Sequence, residues 1–320
     1  MKENINNIHD KFVRESFSDV RRAAAFFEHF LPKDLVSTIE FSSLKLTKES
    51  YINSDLSEYF SDLVFDTKVL GHSEHLDIAL LFEHKSAPDK NVLIQVGFYM
   101  FSHWFKCIQR KQKLKVIIPI IYYQGKKEWE LPQLSSLFDS LPENIKYYLP
   151  TMQHIFISLN RIEEGQIETI RDAMMAAAVM AQKWRINPVK LAEDFKNIFE
   201  LFPSEGLDMN FFEMIVVYAL NVSDITENAL SETLKNIPPI LKDNIMTTYT
   251  RLIEKGKVEG KIEGKIEGKI EGKIEGKIEA KTQVVIKCFD QGIEIKMISN
   301  ITDLPENKVL DILKTSGKII

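Results

Sequence analysis

Cysteine is almost absent. The 320 residues hold two, Cys107 and Cys288, far apart and without ligand spacing. A zinc set and a disulfide framework are thereby excluded, and a reducing, cytoplasmic setting is expected. Long hydrophobic runs are missing as well: no segment approaches the roughly 18 uncharged apolar residues of a membrane span, and no secretory pattern opens the sequence. Nor is there a basic excess. The formal net charge is −5, which is awkward for a nucleic-acid binder but does not exclude one, because affinity depends on where the cations lie. Seven Lys or Arg residues and no acid fall between Lys106 and Lys127, just after Trp104 and Phe105. That stretch either tracks phosphates or is a solvated helix end and loop.

What is present is ample apolar material, 44% hydrophobic residues with 10% aromatics, enough for one substantial core plus appendages. Segments 61–69 and 75–85 are rich in β-branched and apolar residues, with Gly71-His72-Ser73-Glu74 between them. The pattern predicts a β-hairpin. A turn centred between His72 and Ser73 puts Asp62 opposite Glu83, and strand alternation puts Lys85 on the side of Glu83. Facing carboxylates repel unless a cation lies between them, and hard divalent cations choose all-oxygen sites. A neighbouring lysine can acidify water or stabilise charge developing on a phosphorus centre. The alternative for the same residues is a solvated hairpin edge with ordinary charges. Alternation turns His84 to the opposite face, where a structural role is expected.

Residues 89–110 read as a helix, with Pro88 and Asp89 as start signals and Gln95 and Tyr99 on one face behind the strand. Residues 115–123 (KVIIPIIYY) read as a strand buried on both faces. Upstream, 9–31 reads as one helix ending at Pro32, and a first strand falls within 37–58. His9 and Asp10 are expected to cap or anchor that helix. Glu28 is either a further metal-site carboxylate or a surface residue.

The order helix, three strands, helix, strand, with Asp62…Glu83-x-Lys85 and Gln95-x-x-x-Tyr99, resembles the PD-(D/E)XK nuclease superfamily and its RecB-like branch. More narrowly, the chain resembles the Rpn family of recombination-promoting nucleases, also labelled PD-(D/E)XK nuclease family transposases. The matching pieces are His9-Asp10-x-Phe12, Phe27-Glu28-x-x-Leu31-Pro32, Tyr59-x-Ser61-Asp62, Glu83-His84-Lys85-Ser86-x-Pro88-Asp89 and Ile118-Pro119-Ile120-x-Tyr122-Tyr123-x-Gly125. They cover about half the chain. The resemblance implies an α/β fold with a restriction-endonuclease-like core, a mixed sheet flanked by helices. It implies that Asp62, Glu83 and the backbone carbonyl of His84 hold Mg²⁺, or another divalent cation such as Mn²⁺ or Ca²⁺. Lys85 then orients or activates the attacking water, Gln95 and Tyr99 complete the catalytic set, and DNA is the partner that is cut. Two positions depart from the pattern: Ser61 stands where a proline is usual, and Lys85 where many members of the narrower family carry Gln. A transposase acting on its own element gains little support, since the usual transposase carboxylate triad needs a different fold.

The expected organisation is a nuclease-like domain at 1–160, a helical extension at 161–250, a repeat tract at 251–281 and a helix-turn-helix-like segment at 282–320. In the extension, 163–184 carries strong helix formers and a small-residue face suited to close helix packing. The tract repeats a Lys-Ile-Glu-Gly tetrad across 257–280, with six glycines from Gly256 to Gly276. Each glycine costs a helix about 1 kcal/mol relative to alanine, and like charges fall at i,i+4. The glycine column nevertheless allows close helix approach. A period of four drifts about 40° per repeat and favours right-handed wrapping. The tract therefore reads as a self-association rod of roughly 36 Å if helical, or as a linker. The C-terminal pair, around Pro305, either reads DNA or supports a homo-oligomer together with residues 257–280. A nuclease is the leading reading; the alternative is an inactive nuclease fold that self-assembles through its tract and C-terminal segment.

Overall fold

The computed structural model describes residues 8–47, 63–71, 77–202, 206–223 and 225–319. Asp62, with Tyr59 and Ser61, lies outside them, as do His72, Ser73 and Glu74 of the expected turn. The described chain forms two compact units, residues 2–252 and 253–320.

The first unit opens with α1 (Ile8–Ser18), α2 (Val20–Phe30) and α3 (Lys33–Val36). The single helix expected over 9–31 is thus two. Asp19 leaves the helical region at φ −79°, ψ 114°, and its carboxylate accepts the Arg21 N–H as the N-cap of α2. The break lets Phe17 from α1 and Phe26 and Phe27 from α2 all reach the sheet, with Phe17 and Phe82 ring centroids 4.3 Å apart.

Five strands follow: β1 (Ile39–Leu46), β2 (Leu63–Val69), β3 (Asp77–Lys85), β4 (Val116–Tyr123) and β5 (Ile155–Ser158), in that spatial order. The first three are antiparallel neighbours, while β3–β4 and β4–β5 are parallel. Leu63 pairs with Phe82 and Val64 with Leu81, the register expected from the hairpin. Helix α4 (Val92–Gln109) makes the crossover from β3 to β4.

The sheet is buried on both faces. Phe65, Phe82, Ile120 and Tyr122 pack towards α1, α2 and the later helices. Val64, Leu81, Ile121 and Tyr123 pack with Val92, Val96 and Tyr99 of α4. That is why β4 reads as an unbroken apolar run. Past β4, Gly125 lies so close to the Tyr123 ring that a Cβ would overlap it.

After α5 (Glu143–Lys146) and β5 come α6 (Glu164–Glu168), α7 (Ala173–Trp184), α8 (Pro188–Glu193), α9 (Phe195–Glu200), α10 (Met209–Val222) and α11 (Glu227–Thr233). The helix-forming stretch 163–184 is broken, because Asp172 caps α7 by accepting the Met175 N–H. Every residue from Met174 to Gln182 is buried, so α7 is enclosed all round. Its small side chains pack into the same core as Phe12, Phe82 and Ile215.

Helix α12 (Pro239–Asp290) carries the tetrads. In the second unit, α13 (Ile295–Thr302) and α14 (Glu306–Thr315) share a small core of Val285, Ile298, Val309 and Leu313. Asp303 takes the left-handed conformation that ends α13, at φ 49°, and Pro305 is the N-cap residue of α14. Among the described residues no helix is long and apolar enough to cross a membrane.

Candidate active site

Strand β3 ends at Lys85 beside β4, with Glu83 opposite Ile121 and Lys85 opposite Tyr123. Glu83 and Lys85 face α4 and His84 faces away, as strand alternation requires. A short corner then turns the chain into α4. Asp89 fixes it: one carboxylate oxygen accepts the Asn91 N–H at 2.9 Å, and the other pairs with Lys85 Nζ at 3.0 Å.

Lys85 has three N–H donors and meets three acceptors. They are Glu83 Oε1 at 2.8 Å, Asp89 Oδ2 at 3.0 Å and Gln95 Oε1 at 2.7 Å. Gln95 turns its other end back, Nε2 donating to Glu83 Oε1 at 2.9 Å and to the Tyr99 hydroxyl at 3.1 Å. One turn of α4 thus separates the two side chains that lock the strand pair. Burial works to lower the Lys85 pKa, but Glu83 and Asp89 more than offset it and hold the ammonium above its usual value. Lys85 is therefore a cation across the physiological range.

Glu83 is 2% exposed, and its Oε2 is buried with no hydrogen-bond partner among the described residues. A buried carboxylate oxygen without a donor calls for a counter-charge. A hard cation fits this donor, and its other requirements are carboxylate, carbonyl or water oxygens. Among the described residues no group of three or more His, Cys, Asp or Glu side chains is placed to hold a metal ion. The second expected carboxylate, Asp62, is outside the described residues.

Behind the strand, His84 Nδ1 meets Asp10 Oδ1 at 3.2 Å, and that hydrogen bond holds the Asp10 carboxyl below its ordinary range despite burial. His9 Nδ1 meets the Tyr218 hydroxyl at 3.0 Å. The two residues anchor α1 to β3 and to α10. Arg185 donates to the Gln124 carbonyl at 2.8 Å, while the Gln124 N–H donates to the Lys85 carbonyl at 3.0 Å. Gln182 accepts from both the Tyr122 hydroxyl and the Gln124 amide. Glu28 lies elsewhere, on α2 in a groove with Phe41, Arg171 and Asp172, and does not join the Glu83 network.

The structure thus brings together Glu83, Lys85, Gln95 and Tyr99 of the expected set. It adds Asp89, which the sequence presented only as a helix start. It also adds Gln124, Gln182 and Arg185, for which no local signal exists because they meet only through the fold.

Comparison with known proteins bears on this arrangement. A family profile described as "Putative transposase, YhgA-like" matches residues 7–209. Recombination-promoting nuclease RpnC of Escherichia coli K12 is 25% identical over 118 residues, 37% of this chain and 39% of that protein. Recombination-promoting nuclease RpnD of Escherichia coli O157:H7 is 25% identical over 136 residues, 41% of this chain and 52% of that protein. The match therefore spans about two fifths of the one and about half of the other. The inactive recombination-promoting nuclease-like protein RpnE of Escherichia coli K12 is 20% identical over 254 residues, 78% of this chain and 82% of its own length. No solved structure matches. The profile covers more than half of the 320 residues, and the chain belongs to the YhgA-like transposase family, whose curated relatives include proteins named recombination-promoting nucleases.

Proposed function

We propose that this chain is a divalent-cation-dependent DNA endonuclease built on a PD-(D/E)XK core and acting in recombination. The observation that carries the reading is the closed Glu83–Lys85–Gln95–Tyr99 network with Glu83 Oε2 left over beside a permanent ammonium. The antiparallel hairpin leading through β3 and α4 to a parallel β4 supports the core assignment. Names of the relatives supply the chemistry class and the process.

In this reading Glu83, Asp62 and the His84 carbonyl hold Mg²⁺, with Mn²⁺ or Ca²⁺ as other candidates. The bound cation supplies Lewis acidity and offsets phosphate charge. Lys85 stays protonated, so it orients a water and the scissile phosphate as a cation instead of removing a proton. Gln95 holds the carboxylate and the ammonium at fixed spacing, and Tyr99 holds Gln95. The basic stretch from Lys106 to Lys127 is the proposed phosphate contact.

The test is nicking of supercoiled plasmid by the purified chain with Mg²⁺ or Mn²⁺, against EDTA, Asp62→Asn and Glu83→Gln. Cation-dependent cleavage lost in both folded variants is the expected result. Cleavage that survives both puts the site elsewhere. The second reading, an inactive fold that assembles through residues 257–280 and the C-terminal helices, is favoured by one observation: the relative matched over 78% of this chain is named inactive. No cleavage by the wild type under any of these conditions selects it.

A further inference from the structure

Helix α4 has a second side. Val92, Val96 and Tyr99 turn to the sheet, yet the face turned away from it is apolar too. Ile94 and Phe98 are each 49% exposed, Phe101 59%, and Phe105 and Ile108 61%. No Asp, Glu, Lys or Arg lies between Val92 and Phe105. A helix that is hydrophobic all round belongs in an interior, and an exposed apolar patch of this size marks an interaction site.

The spacing says what kind of partner fits. Residues 94, 98, 101, 105 and 108 alternate steps of four and three, the repeat of a seam between two helices. Their immediate flanks carry no charge as far as Trp104, and Lys106, beside Phe105, is the first. Self-pairing therefore meets no like-charge repulsion along the seam up to that point. Area agrees. A phenylalanine offers about 150–250 Å² of burial, so three half-exposed rings with Ile94, Ile108 and Leu114 leave on the order of 600 Å² of surface. A standard interface takes roughly 800 Å² per partner.

The geometry points to an isologous dimer in which α4 of one copy packs antiparallel on α4 of a second copy of this chain. Antiparallel order keeps apart the two basic ends, each with Lys106, Arg110, Lys111 and Lys113, which a parallel pair would bring side by side. It sets Phe98 of one copy against Phe101 of the other, and Ile94 against Phe105. Single-stranded nucleic acid stacked on the phenylalanines is the weaker fit, because such grooves line their rings with cations and this seam has none before Lys106.

Sedimentation equilibrium of the full chain should show a dimer at micromolar concentration. Phe98→Glu/Phe101→Glu should stay folded, since both rings are exposed in one copy, and should weaken the dimer at least a hundredfold. In a separate Ile94→Cys/Phe105→Cys variant, oxidation should give a 94–105 cross-link. Eleven residues of helix separate these positions by about 16 Å, beyond the ~7 Å Cα limit of a disulfide, so this bond can form only between copies. A monomeric wild type overturns the proposal. So does a dimer whose strength the glutamates leave unchanged, or a loss of single-stranded DNA binding in the glutamate variant with no change in association.

Discussion

Gln95 Nε2 donates to Glu83 Oε1 at 2.9 Å while Gln95 Oε1 accepts from Lys85 at 2.7 Å, so one amide bridges the acid and the base of the strand. The amide serves because it carries both a donor and an acceptor. A carboxylate would repel Glu83, and a hydrocarbon would leave two charged groups short of partners. Gln95→Leu should therefore cost about 1.5–3 kcal/mol in urea unfolding, the range for a hydrogen bond to charge. Under the nuclease reading it should lower plasmid nicking about tenfold or more with substrate binding little changed. An unaltered nicking rate in a folded Gln95→Leu protein would show that the bridge positions nothing.

Lys85 is the counter-charge of a carboxylate that is 2% exposed. Lys85→Met should destabilise by about 3–5 kcal/mol, because it leaves Glu83 charged and buried. Adding Glu83→Gln should recover most of that loss while nicking remains absent. The folded-state pKa of Lys85 is raised above 10.5. Its contribution is thus fully present below pH 10.5 and is lost as pH climbs through the raised value. The stability gap between wild type and Lys85→Met should hold from neutral pH to about 10.5 and close above it.

Much of this site was legible because it is local. Strand alternation places Glu83 and Lys85 together, and a four-residue helical step places Gln95 above Tyr99; both follow from backbone periodicity alone. Other features were not legible. The break at Asp19 is a short-range capping choice that an unbroken apolar pattern conceals. Strand β5 has four residues, Ile155–Ser158, too few for an alternation signal. Arg185 and Gln182 reach the back of the site across about sixty residues, a distance at which only the fold relates positions. The outer face of α4 was hidden for another reason: apolar residues on both sides make a helix obvious without saying which side is covered.

His9 makes the acid limb of stability testable. Burial, with Arg185 nearby, lowers its pKa from 6.5 to about 4. Below pH 6.5 the unfolded chain takes up a proton that the folded chain refuses until about pH 4, so stability falls with pH across that window. Tyr218 is pushed up by burial and keeps its proton, so the hydroxyl 3.0 Å from His9 Nδ1 brings no negative charge that would favour a charged His9. With the shift discounted for partial exposure, the effect is about 1 kcal/mol, or about 2–4 °C in Tm. Thermal melts of His9→Gln should lose less between pH 6.5 and 4 than the wild type. Parallel curves would mean that His9 titrates normally in the folded protein.

Gly125 tests whether the loop after β4 supports the site. A Cβ there would overlap the Tyr123 ring, which is fully buried, packs edge-on against Trp129 at 4.9 Å and donates its hydroxyl to the Lys127 carbonyl at 2.7 Å. The ring cannot swing clear without giving up those contacts, so Gly125→Ala should cost about 1–3 kcal/mol, as overpacking does. Tyr123 also pairs with Lys85 across the parallel ladder, and the next N–H, from Gln124, holds the Lys85 carbonyl. The strain should therefore reach the site and reduce nicking along with stability. Trimming the ring makes room, so Tyr123→Leu/Gly125→Ala should cost less than the two single changes combined. Simple additivity in that double-mutant cycle would show that the loop gives way independently of Tyr123 and that the glycine is there for another reason.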